Sequence, residues 1–329
     1  MEHLPQRGQI IIRYKPDKGG YGLKENGSRV WNKARTRENL FVLSILIIPA
    51  IFFCTFYIGV NASSFVLAFQ NIDITGKTSF IGFENFQKVF SEMQGGGLLL
   101  TSVKNSLLMY AISLIVCNPL YIIFSYFLFR KCVGHQVIRF VIMLPTLLSG
   151  FVVSLIFKQF VENALPAMFV SMGMEDFPNL LRHPDYAFGT TLFFSIWLSF
   201  ATSLIVYPNA MNAIPDEVLE AGRLDGVNTV QEIWHIILPL VYPTFTTFFV
   251  TGFAAIFTSA GPLVEFYQFN APQQAYNVGY YLLAQTMNAE NAMLYPKVAA
   301  AGLCLTVLVT PLTYLVKYLM EHFGPTAEF

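Results

Sequence analysis

Apolar residues gather into six long stretches, separated by segments that hold most of the charge. A helix needs about 20 largely uncharged residues to cross hydrocarbon. The stretches that meet this are Leu40–Val60, Asn105–Phe129, Phe140–Phe157, Ala187–Ala213, Ile236–Val264 and Val298–Val316. The first sits in a charge-free run over 39–72, and the third is bounded by Arg139 and Lys158. None shows the period-two alternation of a membrane β-barrel strand. The pattern predicts an all-α polytopic membrane protein with six transmembrane helices. Pro119, Pro145, Pro208 and Pro243 lie inside these stretches and predict kinks, which a helical bundle tolerates when neighbours re-satisfy the backbone. Of the connections, 61–104, 158–186 and 265–297 fall on one side. Phe80–Phe86 reads as a short amphipathic element, and Gly95-Gly96-Gly97 as a joint before the second span.

Composition supports the membrane reading. The chain is 54% hydrophobic and 12% charged, where a soluble domain carries about 25% charged residues. Net charge is zero, so nothing global points to nucleic acid. Charge placement gives orientation. Residues 1–38 hold nine Lys/Arg against four Asp/Glu, a basic arm before the first span that fits against anionic headgroups. With that arm cytoplasmic, the segments 1–39, 130–139, 214–235 and the residues after Val316 carry 14 of the 20 Lys/Arg, and both termini lie inside. The polar N-terminus has no signal-peptide pattern. The domains expected are a cytoplasmic arm at 1–39, a transmembrane domain at 40–320 and a cytoplasmic tail at 321–329. Cys54, Cys117, Cys132 and Cys304 are scattered and form no CxxC pair.

Motifs for chemistry are missing. There is no G-x-x-x-x-G-K-[ST] phosphate loop, H-E-x-x-H or G-x-S-x-G. The chain therefore reads as no enzyme, with no catalytic residue and no metal site. An ion-coupled secondary transporter or channel is the rival class, but it usually places ionisable groups within its spans. Spans four to six are charge-free.

The most informative segment is 213–243, AIPDEVLEAGRLDGVNTVQEIWHIILPLVYP. Pro215 suits a first helical position, and Asp216 and Glu217 favour the positive end of a helix. A short helix should run to Leu224, and Gly226 can take the left-handed backbone that ends it. Thr229 and Glu232 have capping-box spacing, and Val230, Ile233, Trp234 and Ile237 fall on one helical stripe. Pro239 should bend the chain into span five. This is a helix–turn–helix elbow. On its residues alone, a plain surface connector would look the same.

The segment resembles the EAA loop of binding-protein-dependent ABC importer permeases. Glu220-Ala221-Gly222, then Gly226, then Ile236-Ile237-Leu238-Pro239 keep that family's spacing. Gly222 departs from it, standing where the pattern has Ala, at a helix-propensity cost of about 1 kcal/mol. The likeness extends over about residues 40–320, toward the carbohydrate-uptake, maltose/oligosaccharide type. It rests on Ala213–Glu217, Phe80–Phe86, Arg139-Phe140 with Leu144-Pro145, and Thr258–Pro262, where Ala260 replaces a Gly.

The resemblance implies a type I importer bundle in a bacterial plasma membrane, with loop 214–239 docking into an ATPase subunit. Glu220, Ala221, Gly222, Asp225, Gly226 and Ile236 would form the docking set, with Leu238 and Pro239 linking it to the bundle. It also implies the partners: a second homologous permease, two ATPase subunits carrying ATP and Mg, an extracytoplasmic solute-binding protein and a carbohydrate substrate. By alignment to the substrate-bearing permease, Ser195, Trp197, Leu198, Ser199, Thr202, Thr251 and Thr258 fall on the substrate path. Ser and Thr at such positions also serve as ordinary interhelical contacts.

Overall fold

The computed structural model describes residues 40–174, 177–287 and 293–325. The basic arm at 1–39 and tail residues 326–329 lie outside the described residues. The chain divides into two units, 1–62 and 63–329.

In the first unit, residues 40–62 belong to a helix, α1 (Leu40–Ala68), whose side chains there are mostly apolar and exposed all round. A helix apolar on every face in this way suits lipid, not water. Phe52 stacks on Phe56 and Phe53 on Tyr57 along it.

In the second unit, a two-stranded antiparallel hairpin, β1 (Gln70–Ile72) with β2 (Thr78–Phe80), leads to the amphipathic helix α2 (Glu84–Gln94). Asn85 holds the two together by donating to the carbonyls of Ala68 and Gln70. Gly96, at φ +74°, makes the joint before the next span. The remaining long apolar helices are α3 (Leu98–Phe129), α5 (Gly150–Ser171), α6 (Pro184–Met211), α8 (Thr229–Ala255) and α11 (Tyr295–Phe323). With α1, six described helices are long and apolar enough to cross a membrane. The shorter helices are α4 (His135–Leu147), α7 (Asp216–Leu224), α9 (Leu263–Tyr267) and α10 (Val278–Met287).

Most spanning helices run past the apolar stretches that announced them, and two depart from expectation in how they are broken. Phe140–Phe157 is not one helix. Leu148 and Ser149 are extended, and Ser149 accepts from the Val152 amide to cap a new helix. The apolar window joins the end of α4 to the start of α5, and α5 is the spanning element. Span five ends at Ala255 rather than Val264, because Gly261 at φ +60° and Pro262 turn the chain before α9.

Three of the prolines within long helices are accommodated by one construction. π-helical turns at Ser113–Cys117, Phe160–Ala164 and Glu232–Ile237 each end two residues before a proline, Pro119, Pro166 and Pro239. A proline ring crowds the carbonyl four residues back and removes a hydrogen bond. The wider π turn relieves the crowding, so the helix runs on past the proline unbroken. Asn118 completes the first of these by donating to the Ser113 carbonyl.

Candidate coupling elbow and transport cavity

The elbow forms much as its residues dictate. α7 spans Asp216–Leu224 with Asp216 and Glu217 in its first turn and Pro215 just outside, as N-cap rather than first helical residue. Gly226 at φ +73° reverses the chain. The second cap is one residue earlier than the T-x-x-E spacing suggested. Asn228 accepts from the Gln231 amide at 2.9 Å and Gln231 Oε1 accepts from the Asn228 amide at 3.0 Å. That capping box leaves Glu232 free for another role. From Thr229 the helix continues through the π turn and Pro239 into span five without interruption.

The π turn also breaks the expected apolar stripe. Its extra residue per turn rotates the following positions, so Ile237 and Val241 are buried while Val230 and Trp234 are exposed. Glu232, Ile237 and Val241 face inward together. The elbow packs through Ile214 and Leu219 into a core with Tyr121, Ile122 and Tyr126 of α3, Tyr207 and Met211 of α6, and Ile237 and Val241 of α8. Gly222 is buried where α7 crosses α8: a Cβ there would lie 2.6 Å from Ile236 Cδ1. The glycine that departs from the family pattern thus accommodates the bulk of Ile236.

Glu232 carries the polar tie that the sequence reading missed. Its carboxylate accepts both oxygens' bonds from Arg130 at the end of α3, and Tyr126 donates to Oε2 at 3.1 Å. Arg130 Nε in turn donates to the Tyr126 hydroxyl at 3.3 Å. The Arg130 and Glu232 side chains are only 22% and 10% exposed. Burial opposes the guanidinium charge, but the hydrogen bonds and attraction from Glu232 outweigh it and raise the Arg130 pKa above its ordinary value. One available signal was an acidic residue within an otherwise apolar run, across from a cation at the end of another span.

Of the docking candidates, Glu220, Ala221, Asp225 and Gly226 are exposed on the elbow, beside Leu224. Gly222 is buried, and Ile236, Leu238 and Pro239 are half-buried along the entry to α8. The substrate-path candidates separate. Ser195, Leu198 and Ser199 line a cavity of ≈ 410 Å³ bordered by α3, α5, α6, α8 and the turn before α9. Trp197 stacks at 6.4 Å on Phe157 and lines a separate apolar groove with Leu144 and Pro145. Thr202 is exposed. Thr251 lies between α8 and α11, near Tyr242 and Lys317, while Thr258 lines a different groove with Thr306 and Thr310.

The cavity also takes in Glu265, the single charged residue among those lining it. Its Oε2 is buried and has no hydrogen-bond partner. Lys158 donates from its ammonium to the carbonyl of Phe266, the neighbour of Glu265 in sequence. Nearby, Gly279 lets α10 approach the backbone of Ser259 and Ala260, where a Cβ would come within 2.4 Å. The opposite edge of α10 is tied by Tyr281, which donates to Glu92 of α2, and Glu92 pairs with Lys297 of α11. Burial, joined by the Glu92 charge, raises the Tyr281 pKa. Among the described residues no cluster of His, Cys, Asp and Glu could hold a metal ion.

Comparison with known proteins agrees with this architecture. Over 253 residues the chain is 26% identical to the multiple sugar-binding transport system permease protein MsmF of Streptococcus mutans, covering 71% of this chain and 86% of that one. It is 24% identical over 283 residues to the arabinooligosaccharides transport system permease protein AraP of Bacillus subtilis, covering 84% and 85%. The fold matches a chain of a bacterial ABC transporter that imports the acidic polysaccharide alginate, with a TM-score of 0.74 and 19% identity over 89% of this chain and 99% of that chain. The family model described as binding-protein-dependent transport system inner membrane component matches residues 96–327. With its six apolar helices and a family match over most of its length, the chain is a multi-pass membrane protein that belongs to the binding-protein-dependent transport system inner membrane component family.

Proposed function

We propose that this chain is one permease subunit of an ATP-driven carbohydrate importer and that its elbow at 214–239 receives the motion of an ATPase subunit. The observation that carries this reading is the build of the elbow. A short capped helix is locked by Leu219, Gly222 and the Gly226 turn against a second helix that runs unbroken into span five. A push on α7 is therefore transmitted as a rotation of α8 rather than absorbed in a loop.

Exposed Glu220, Ala221, Leu224, Asp225 and Gly226 supply a docking face with acidic and apolar character. ATP and Mg belong to the two ATPase partners, and this chain performs no catalysis itself. A second permease completes the pathway, and an extracytoplasmic binding protein delivers the solute. The elbow then faces the cytoplasm of a bacterial cell, as do both termini. Relatives named for sugar uptake and a serine-lined cavity support carbohydrate as the cargo.

The test is uptake of labelled oligosaccharide by vesicles holding the assembled complex. Uptake should require ATP, and Glu220→Ala or Gly226→Val should abolish it while the chain still inserts and co-elutes with the second permease. Uptake driven by an ion gradient without ATP would overturn the proposal.

A further inference from the structure

Five neutral polar groups on the cavity wall differ in what they leave for a solute. Ser154 and Ser195 spend their hydroxyl protons on the carbonyls of Gly150 and Thr191, at 2.8 and 2.9 Å, and present oxygen lone pairs only. Ser106 and Ser259 do the reverse. Their oxygens accept the amides of Val278 and Gly261, at 3.0 and 3.2 Å, so their protons remain to be donated. Asn277 is committed on both sides, donating to the Ala260 carbonyl at 3.1 Å and accepting from the Tyr280 amide at 2.8 Å.

Against this neutral background stands one carboxylate with a buried oxygen that no group satisfies. Lys158 does not line the cavity, and among the described residues no cation forms an ion pair with Glu265. Glu265 is the one charge on the cavity wall, with no cation paired to it. A carboxylate in that position favours a solute that donates hydrogen bonds, and a solute carrying its own carboxylate meets repulsion there.

We infer that Glu265 is a specificity-determining residue: it accepts a hydrogen bond from a hydroxyl of a neutral saccharide and excludes acidic ones. A sugar hydroxyl donates and accepts at once, which fits a site offering both the protons of Ser106 and Ser259 and the lone pairs of Glu265, Ser154 and Ser195. A charged acceptor strengthens the bond beyond what the serines provide. The inference rests on the carbohydrate reading above and narrows its substrate class.

The experiment is saturation-transfer NMR on the assembled complex in nanodiscs, without binding protein, so that selection by that partner does not intervene. The probes are a neutral trisaccharide and the uronic-acid trisaccharide of the same linkage. The wild type should bind the neutral probe at least about tenfold more tightly, a difference of about 1.4 kcal/mol. Glu265→Gln should remove most of that preference by weakening neutral binding and admitting the acidic probe, whereas Glu265→Asp should retain it. Equal binding of the two probes by the wild type would overturn the inference, as would an unchanged ratio in Glu265→Gln. If Glu265→Gln does not assemble, the wild-type ratio and Glu265→Asp decide between the same outcomes. Binding of neither saccharide by the wild type would instead remove the carbohydrate reading itself.

Discussion

The elbow and the cavity lie in the same unit but use their polar groups in opposite ways. At the elbow, polar groups are spent across the fold: Glu232 on α8 takes Arg130 and Tyr126 of α3, more than a hundred residues away in sequence. In the cavity several are spent locally or not at all. Ser154 and Ser195 bond the carbonyls four residues back in their own helices, and Glu265 keeps an oxygen unpartnered. Ties between elements let a region carry force, because moving one element must move the other. A region that recognises a solute needs groups that the protein itself has left free.

The sharpest way to break this contrast is to cut the elbow's tie. Replacing Arg130 with Met alone leaves Glu232 buried without its cation, and should destabilise the chain by about 3 kcal/mol, the lower part of the range for buried pairs because Arg130 keeps some exposure. Arg130→Met with Glu232→Leu should recover most of that loss, since both charges leave together. Thermal unfolding in nanodiscs measures the cycle. Additive losses would mean that the pair does not couple α3 to α8.

Next in size is the close approach of α10 to the backbone of Ser259, a residue that lines the cavity. Gly279→Ala forces a Cβ against the backbone of Ser259 and Ala260, which cannot rotate away, and should cost about 2 kcal/mol as overpacking. A melting temperature equal to wild type would show that the α10 contact is looser than described. At the elbow's turn, Gly226→Ala places a Cβ at φ +73° and should cost about 1 kcal/mol, with Gly226→Asn losing less because Asn tolerates the left-handed region. The smallest effect belongs to Gly222→Ala. Its new methyl meets only the flexible end of Ile236, so the strain is offset by about 1 kcal/mol of helix propensity, and stability should stay within about 0.5 kcal/mol of wild type. Adding Ile236→Val should turn the balance to a gain.

The sequence made the elbow legible because its signals are local. Pro215, the acids of the first turn, Gly226 and the spacing to Pro239 each act over a few residues, and the resulting helices fall close to where those residues place them. It misled where two local signals competed. Asn228 outranks Thr229 as cap because its side chain pairs reciprocally with Gln231, and that releases Glu232. It also misled where one apolar window covered two helices, since hydropathy does not register the Ser149 cap inside Phe140–Phe157. The Arg130–Glu232 tie leaves no signature within the elbow alone, because its other half stands at the end of a different span. The spread of Trp197, Thr202, Thr251 and Thr258 over separate surfaces reflects the same limit: similar polar residues along a span do not reveal which face meets a neighbour and which meets open space.

The central claim is that the elbow and span five move as one body. Spin labels at Leu224 and Thr247, both exposed, report it once the four native cysteines are replaced. Pulsed electron resonance on the assembled complex, nucleotide-free and ATP-trapped, should give the same narrow Leu224–Thr247 distance in both states while a label pair across the two permeases shifts. A Leu224–Thr247 distance that changes or broadens with nucleotide would show the elbow flexing at the π turn, and would contradict the account.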